Sequence, residues 1–262
     1  MTTWPGADDV LATRVRIAKM LRKAGQTGKA QAAYKAIYSD KTVIADAFDV
    51  AMDAHLSYGQ LIDNRDKRLN HYRDGLRFFE KRGKAPGAKS AAKSAAEMRF
   101  ELLEPEFASF ASQTIPANTK KASGALKKKM GGVGGLERKY VEVLNLKQGE
   151  WGIAALFRIG TLYGNFADTL RSAPCPEKLD EDQCAIYKFG LEDKAYPLVD
   201  KAVDAFTKAR EKSYELGVYS SYTLKALEEL SRLRPEEYPA NAERTPLPDY
   251  TSNPYTTADF QL

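Results

Sequence analysis

Residues 149–170 read GEWGIAALFRIGTLYGNFADTL, and their spacing decides the fold class. Leu156, Ile159, Gly160 and Tyr163 fall at offsets of three and four, which places them on one face of an α-helix. A glycine in that face lets a second helix approach closely, while the large residues around it fill the seam. The matching partner pattern is Ala202-x-x-x-Phe206-x-x-Ala209, on a helix that Gly217 stops. A similar pair opens the chain. Ile17-Ala18-x-x-Leu21 lies on a helix over 8–24, Gly25-Gln26-Thr27-Gly28 makes a turn, and Ala30-x-x-x-Tyr34-x-x-Ile37 lies on a helix over 29–39. Helical periodicity runs through almost everything from 8 to 234, and strand-like alternation is scarce. The reading is an all-α chain of stacked antiparallel helix pairs.

The segments between these pairs give the boundaries. A helix over 42–61 carries Ala47, Val50, Ala51 and Ala54. Asp66 is the candidate cap of the next helix, which carries Leu69, Tyr72, Leu76 and Phe79. A long helix begins near Ala88, with Ala91, Ala92, Ala95 and Ala96 as a thin packing face. Pro105 is expected to kink it or stop it at Glu104. Residues 8–114 thus form an N-terminal helical array, and 115–135 a Lys/Gly-rich connection in which the glycine cluster over 131–135 reads as a loop. A second helical region spans 136–239. It is interrupted by an insertion over 171–192, consisting of a loop and a separate helix over 182–192. From 240 to 262 the chain is rich in Pro, Thr and Asn and reads as an extended tail.

These offsets resemble those of the tetratricopeptide repeat, whose period is about 34 residues. The implied architecture is a tetratricopeptide-like α-solenoid, with the C-terminal repeat split by the insertion. Residues 140–239 resemble something more particular. The blocks are Glu150-Trp151-x-x-Ala154-Ala155-Leu156-x-Arg158-Ile159-Gly160-x-Leu162-Tyr163-x-x-Phe166-Ala167, then Ala195-x-Pro197-Leu198-x-x-Lys201-Ala202, then Glu215-Leu216-Gly217-Val218-Tyr219 with Leu227, Leu230, Pro235, Tyr238 and Pro239. Their order and spacing are similar to the C-terminal region of the large tetratricopeptide proteins linked to adventurous gliding motility in myxobacteria and related deltaproteobacteria. That resemblance implies a periplasmic or envelope location and a scaffolding role.

Composition bounds the chemistry. The 262 residues carry 40 Lys plus Arg against 35 Asp plus Glu, a formal charge of +5. Hydrophobic residues make up 43%, mean hydropathy is −0.49, and no run approaches the ~18–20 apolar residues of a membrane span. Two histidines and two cysteines are a poor supply for a four-ligand zinc site, so no metal or cofactor is expected. The first residues lack the basic and apolar regions of a signal peptide. The chain is therefore read either as cytoplasmic or as part of a longer exported protein.

Cys175 and Cys184 both lie in the insertion with eight residues between them, which is not the spacing of a redox or zinc motif. Two cysteines in one short segment suggest a disulfide, worth about 2.5–3 kcal/mol on the loop-entropy model, and disulfides persist in oxidising compartments. The alternative is two free thiols in a cytosolic protein.

The dense basic strip is Lys120, Lys121, Lys127, Lys128 and Lys129, followed by Arg138 and Lys139. It reads as a solvated helix face and loop. The alternative function rests here: a module binding nucleic acid or another anionic polymer through 120–139. No aromatic residue interleaves the strip before Tyr140, so nucleic acid is not the expected partner. The glycine cluster lacks the Gly-Lys-Ser/Thr ending of a phosphate loop. His55 and His71 lie on successive helices, without a nucleophile elbow, and read as surface or groove-lining residues. Glu101, Glu104 and Glu106, and Glu177, Asp180, Glu181 and Asp182, read as solvated carboxylates; the last three also suit a helix N-terminus. The chain is expected to be a non-catalytic interaction scaffold for an unidentified protein partner. Trp151, Arg158, Tyr163 and Tyr187 are the expected groove contacts.

Overall fold

The computed structural model describes residues 7–83 and 87–239; the expected tail over 240–262 lies outside the described residues. Among the described residues there are ten helices and no strand. They are α1 (Ala7–Lys23), α2 (Thr27–Tyr38), α3 (Lys41–Asp46), α4 (Phe48–Gln60), α5 (Arg65–Lys81), α6 (Ala88–Ala111), α7 (Thr119–Leu144), α8 (Gly149–Arg171), α9 (Glu181–Leu216) and α10 (Ser221–Leu233). The protein is all-α.

The helices pack in chain order. α1 lies on α2, α2 on α4, α4 and α6 on α5, and α7 on α6; α8 packs on α7 and, most extensively, on α9, which carries α10. Alternate helices behave differently. α4, α6, α8 and α10 also touch one another in succession, whereas α2, α5, α7 and α9 make no substantial contact among themselves. One row of helices is therefore closed side to side and the other is spread.

Glycines set the closest approaches. A Cβ on Gly160 would lie 2.6–2.8 Å from three ring carbons of Phe206, so the α8–α9 contact has room for hydrogen alone. Gly75 of α5 serves the same purpose against Met98 of α6, whose sulfur stands 2.7 Å from where a Cβ would be. Around these contacts the core forms three clusters. The first holds Ala18, Ala30, Tyr34 and Ile37; the second holds Phe48, Met52, Tyr72 and Met98. The third is the largest and runs from Phe100 and Phe110 through Tyr140 and Ile153 to Phe206 and Leu230. Ile17, expected beside Ala18 on the buried face, is 49% exposed.

The helix ends carry the expected chemistry, with one shift. Asn64, not Asp66, caps α5 by accepting from the Lys67 amide at 3.0 Å. Asp180 caps α9 and forms a reciprocal capping box with Gln183. Gly217, at φ +62°, ends α9 in the left-handed conformation.

Three boundaries differ from the sequence reading, and at Pro105 one of its two alternatives, a stop at Glu104, does not occur. The helix expected over 42–61 is broken at Ala47 into α3 and α4, with Asp40 capping the first piece. Pro105 does not stop α6, which continues to Ala111 because Phe110 beyond the proline is buried in the largest core cluster. The connection expected over 115–135 is mostly helix. α7 starts at Thr119 and passes through the glycine cluster, because Val133, Leu136, Tyr140 and Val143 form one buried stripe at offsets of three and four. That tertiary burial outweighs a helix-propensity cost of about 1 kcal/mol per glycine. The insertion has no helix of its own either, since α9 runs unbroken for 36 residues with Leu191, Ala195, Val199 and Ala202 keeping a single buried face.

The glycines of α7 give a direct test. A Cβ on Gly131, Gly134 or Gly135 meets nothing within 4 Å, whereas one on Gly132 would stand 2.9 Å from Phe110 Cδ2. Gly→Ala at each of the first three should raise stability in urea denaturation by roughly 0.5–1 kcal/mol. Gly132→Ala should show no such gain.

Candidate interaction groove

The spread between α1 and α4 leaves a groove. α1 rests on α2 and hardly touches α4, so an open channel of about 1020 Å³ separates them, floored by Leu11, Val15, Met20 and Val50. A second section of about 530 Å³ continues it toward α6, past Leu56 and Ser57 to Lys93 and Glu97. The two sections share Lys19, Lys23 and Asp53. The second ends at a polar chain: Arg22 donates to Gln60 Oε1 at 2.7 Å, and Gln60 Nε2 donates to Glu97 Oε1 at 2.6 Å.

Farther along α6 the face is acidic and half-buried. Burial raises the Glu97 carboxyl above its ordinary pKa against the Gln60 hydrogen bond, and the charges of Glu101 and Glu150 add to the rise. Burial and then the Glu104 charge raise Glu101. Glu104 is neutralised by Arg158 of α8, whose Nε and Nη2 donate to its two carboxylate oxygens, and the Tyr140 hydroxyl donates to Oε1 at 3.3 Å. The Arg158 guanidinium also lies over the rings of Phe107 and Phe157, at 4.5 and 5.7 Å. Glu101 and Glu104, expected as solvated surface, are therefore half-buried, and Glu104 is part of the α6–α8 contact.

The four residues expected as groove contacts do not share a groove. Trp151 and Arg158, seven residues apart on α8, both face α6, where Trp151 packs 5.3 Å from Phe100. Tyr163 points elsewhere: it is buried, donates to Glu137 of α7 at 2.8 Å, and has Lys201 of α9 over its ring. Burial, then that carboxylate, pushes its pKa up to about 12. Tyr187 is half-buried against the largest core cluster. These side chains fill seams between helices.

Lys129 is a second correction. It is 1% exposed, so it does not belong to an anion-binding surface. Its ammonium donates to the Phe110 and Gln113 carbonyls at 3.0 Å each and to Asn165 Oδ1 at 2.6 Å, and it lies 4.4 Å from the Phe110 ring centroid. Lys129 thus caps the C-terminal carbonyls of α6, and burial pulls its pKa down to about 8. Lys120, Lys121, Lys127 and Lys128 remain exposed.

His55 and His71 meet between α4 and α5 with ring centroids 3.9 Å apart; His55 is buried and His71 half-buried, so neither is the surface residue expected. Tyr38 and Tyr58 stand within 6 Å of the pair. His71 Nε2 is 2.9 Å from the His55 carbonyl, and His55 Nδ1 is buried without a hydrogen-bond partner. Burial first, then His71, depresses the His55 pKa to about 4. Among the described residues no group of three or more His, Cys, Asp or Glu side chains is placed to hold a metal, and no helix is long and apolar enough to cross a membrane.

Cys175 and Cys184 are joined as a disulfide, with Cα atoms 5.7 Å apart. The bridge ties the loop after α8 to the first turn of α9, and Lys188 of α9 also donates to the Ala173 carbonyl. Cys175→Ser with Cys184→Ser should lower stability by about 2–3 kcal/mol under oxidising conditions and by nothing in reductant. The oxidised chain should weigh 2 Da less than the reduced one.

The groove was not legible in the sequence because it arises from the splay of α1 away from α4. The acidic row of α6 was missed although its spacing carries the signal: Glu97, Glu101 and Glu104 stand at offsets of four and three, whereas the sequence reading grouped Glu101, Glu104 and Glu106 as solvated carboxylates. No known protein family matches the chain, and neither does any curated protein or solved structure.

Proposed function

We propose that the protein is a non-catalytic scaffold that holds a segment of a partner protein against its closed row of helices. In this reading the chain is a short tetratricopeptide-like solenoid, with α1, α4, α6, α8 and α10 as the inner row and α2, α5, α7 and α9 as the outer one. The carrying observation is the asymmetry of contact: α4, α6, α8 and α10 touch in succession while the outer helices do not, which is the packing expected of a curved stack with a concave face. The continuous groove along α1, α4 and α6 lies on that face. The resemblance of 140–239 to gliding-motility tetratricopeptide proteins gives an envelope assembly as the setting. A disulfide suits the oxidising compartment that this setting provides.

The test is site-specific photo-crosslinking in the native cells. Probes at the inner positions Lys93 and Glu150 should yield one discrete adduct, and probes at the outer positions Lys67 and Asp193 should not. Adducts from neither face, or equally from both, would overturn the reading.

A further inference from the structure

The groove between α1 and α4 has walls of opposite charge. Arg16, Lys19 and Lys23 project from α1, all exposed. Asp49 and Asp53 stand on α4, both half-buried. None of these five side chains makes an ion pair with another described residue. The two walls thus face each other across an open channel of about 1020 Å³ with no direct ion pair between them. Between them lies the apolar floor of Leu11, Val15, Met20 and Val50, with Met20 61% exposed.

We infer that this groove takes an amphipathic helix of a partner protein, with acidic side chains along the edge over α1 and basic side chains along the edge over α4. The inference rests on the scaffold reading and names the kind of partner segment it requires. Apolar side chains of the incoming helix cover the floor, and its two edges supply a counter-charge to each wall. The floor and basic wall run from Leu11 to Lys23 of α1, about 18 Å at 1.5 Å per residue, so the occupant spans about three turns. A polyanion such as nucleic acid fits less well, because Asp49 and Asp53 repel it. The two polarised walls also fix direction, since a helix lying the other way along the groove places like charges against each wall.

The experiment uses a fluorescein-labelled helical peptide of about 18 residues, with leucines on one face, glutamates along one edge and lysines along the other. Fluorescence anisotropy with the full chain should show saturable binding. Lys19→Glu combined with Lys23→Glu makes both walls acidic and should weaken that binding roughly tenfold or more. The same variant should bind better than the wild type to a peptide with lysines along both edges. Lys67→Glu combined with Lys81→Glu, on exposed positions of α5, changes net charge equally and should leave both affinities unchanged; circular dichroism checks that both variants fold. Absence of binding, equal binding by wild type and the α1 variant, or equal weakening by the α5 control would each overturn the inference. If inner-face crosslinks appear while the peptide fails, the scaffold reading stands and this inference falls. If the peptide binds as described while crosslinks come from the outer face, the reverse holds.

Discussion

Arg158→Ala is expected to destabilise the protein by about 3–5 kcal/mol, the usual cost of removing one partner from a largely buried ion pair. The Arg158 side chain is 19% exposed and that of Glu104 25%. Without the guanidinium, Glu104 keeps only the long hydrogen bond from Tyr140 and retains an uncompensated charge between α6 and α8. Phe107 and Phe157 also lose the planar group that covers them. Glu104→Gln should cost less, because the amide oxygen still accepts one of the two hydrogen bonds, and Arg158→Lys should fall between. Urea denaturation followed by far-UV circular dichroism reads these differences. A loss below about 1 kcal/mol for Arg158→Ala would mean that the pair behaves as a solvated surface bridge.

The second large effect is acid sensitivity through His55. Its pKa is about 4 in the folded protein, below the ordinary value of 6.5. The unfolded chain therefore binds the proton first as pH falls. Stability is highest above pH 6.5, declines between 6.5 and 4, and flattens below the folded pKa. The shift corresponds to about 3 kcal/mol. His71, also depressed by burial, acts in the same direction. Glu97 and Glu101, whose pKa values are raised, act in the opposite one, so the wild-type curve alone does not isolate the histidine. The comparison is with His55→Gln. The difference in unfolding free energy between the two proteins should change by about 3 kcal/mol from pH 7.5 to 4. Parallel curves would mean that His55 is hydrated and titrates normally.

Much of the fold was written in local spacing. Gly160 opposite Phe206 encodes a helix crossing that has no room for a Cβ, and the sequence offsets named both residues. The two continuous long helices were equally encoded but masked. Lys129, Val133, Leu136, Tyr140 and Val143 keep offsets of three and four straight through the glycines of α7. Leu191, Ala195, Val199 and Ala202 do the same across the junction in α9. Glycine content and the presumed insertion point favoured breaks there, and buried periodicity prevailed. The polar contacts between helices were less legible, because their partners are distant in sequence. Arg158 meets Glu104 from 54 residues away, and Lys129 meets Asn165 from 36 residues away. Nothing in a lysine-rich run marks the one lysine that turns inward to a helix end. The polarity of the α1–α4 groove likewise depends on which faces the splay leaves open.

The central claim is that the protein works through its inner row of helices. Hydrogen exchange of the full chain, alone and with the partner captured by crosslinking, tests it most directly. Slowed exchange in α1, α4, α6, α8 and α10, strongest along the groove walls of α1 and α4, is the predicted result. Slowing confined to α2, α5, α7 and α9, or no slowing in any helix, would contradict it.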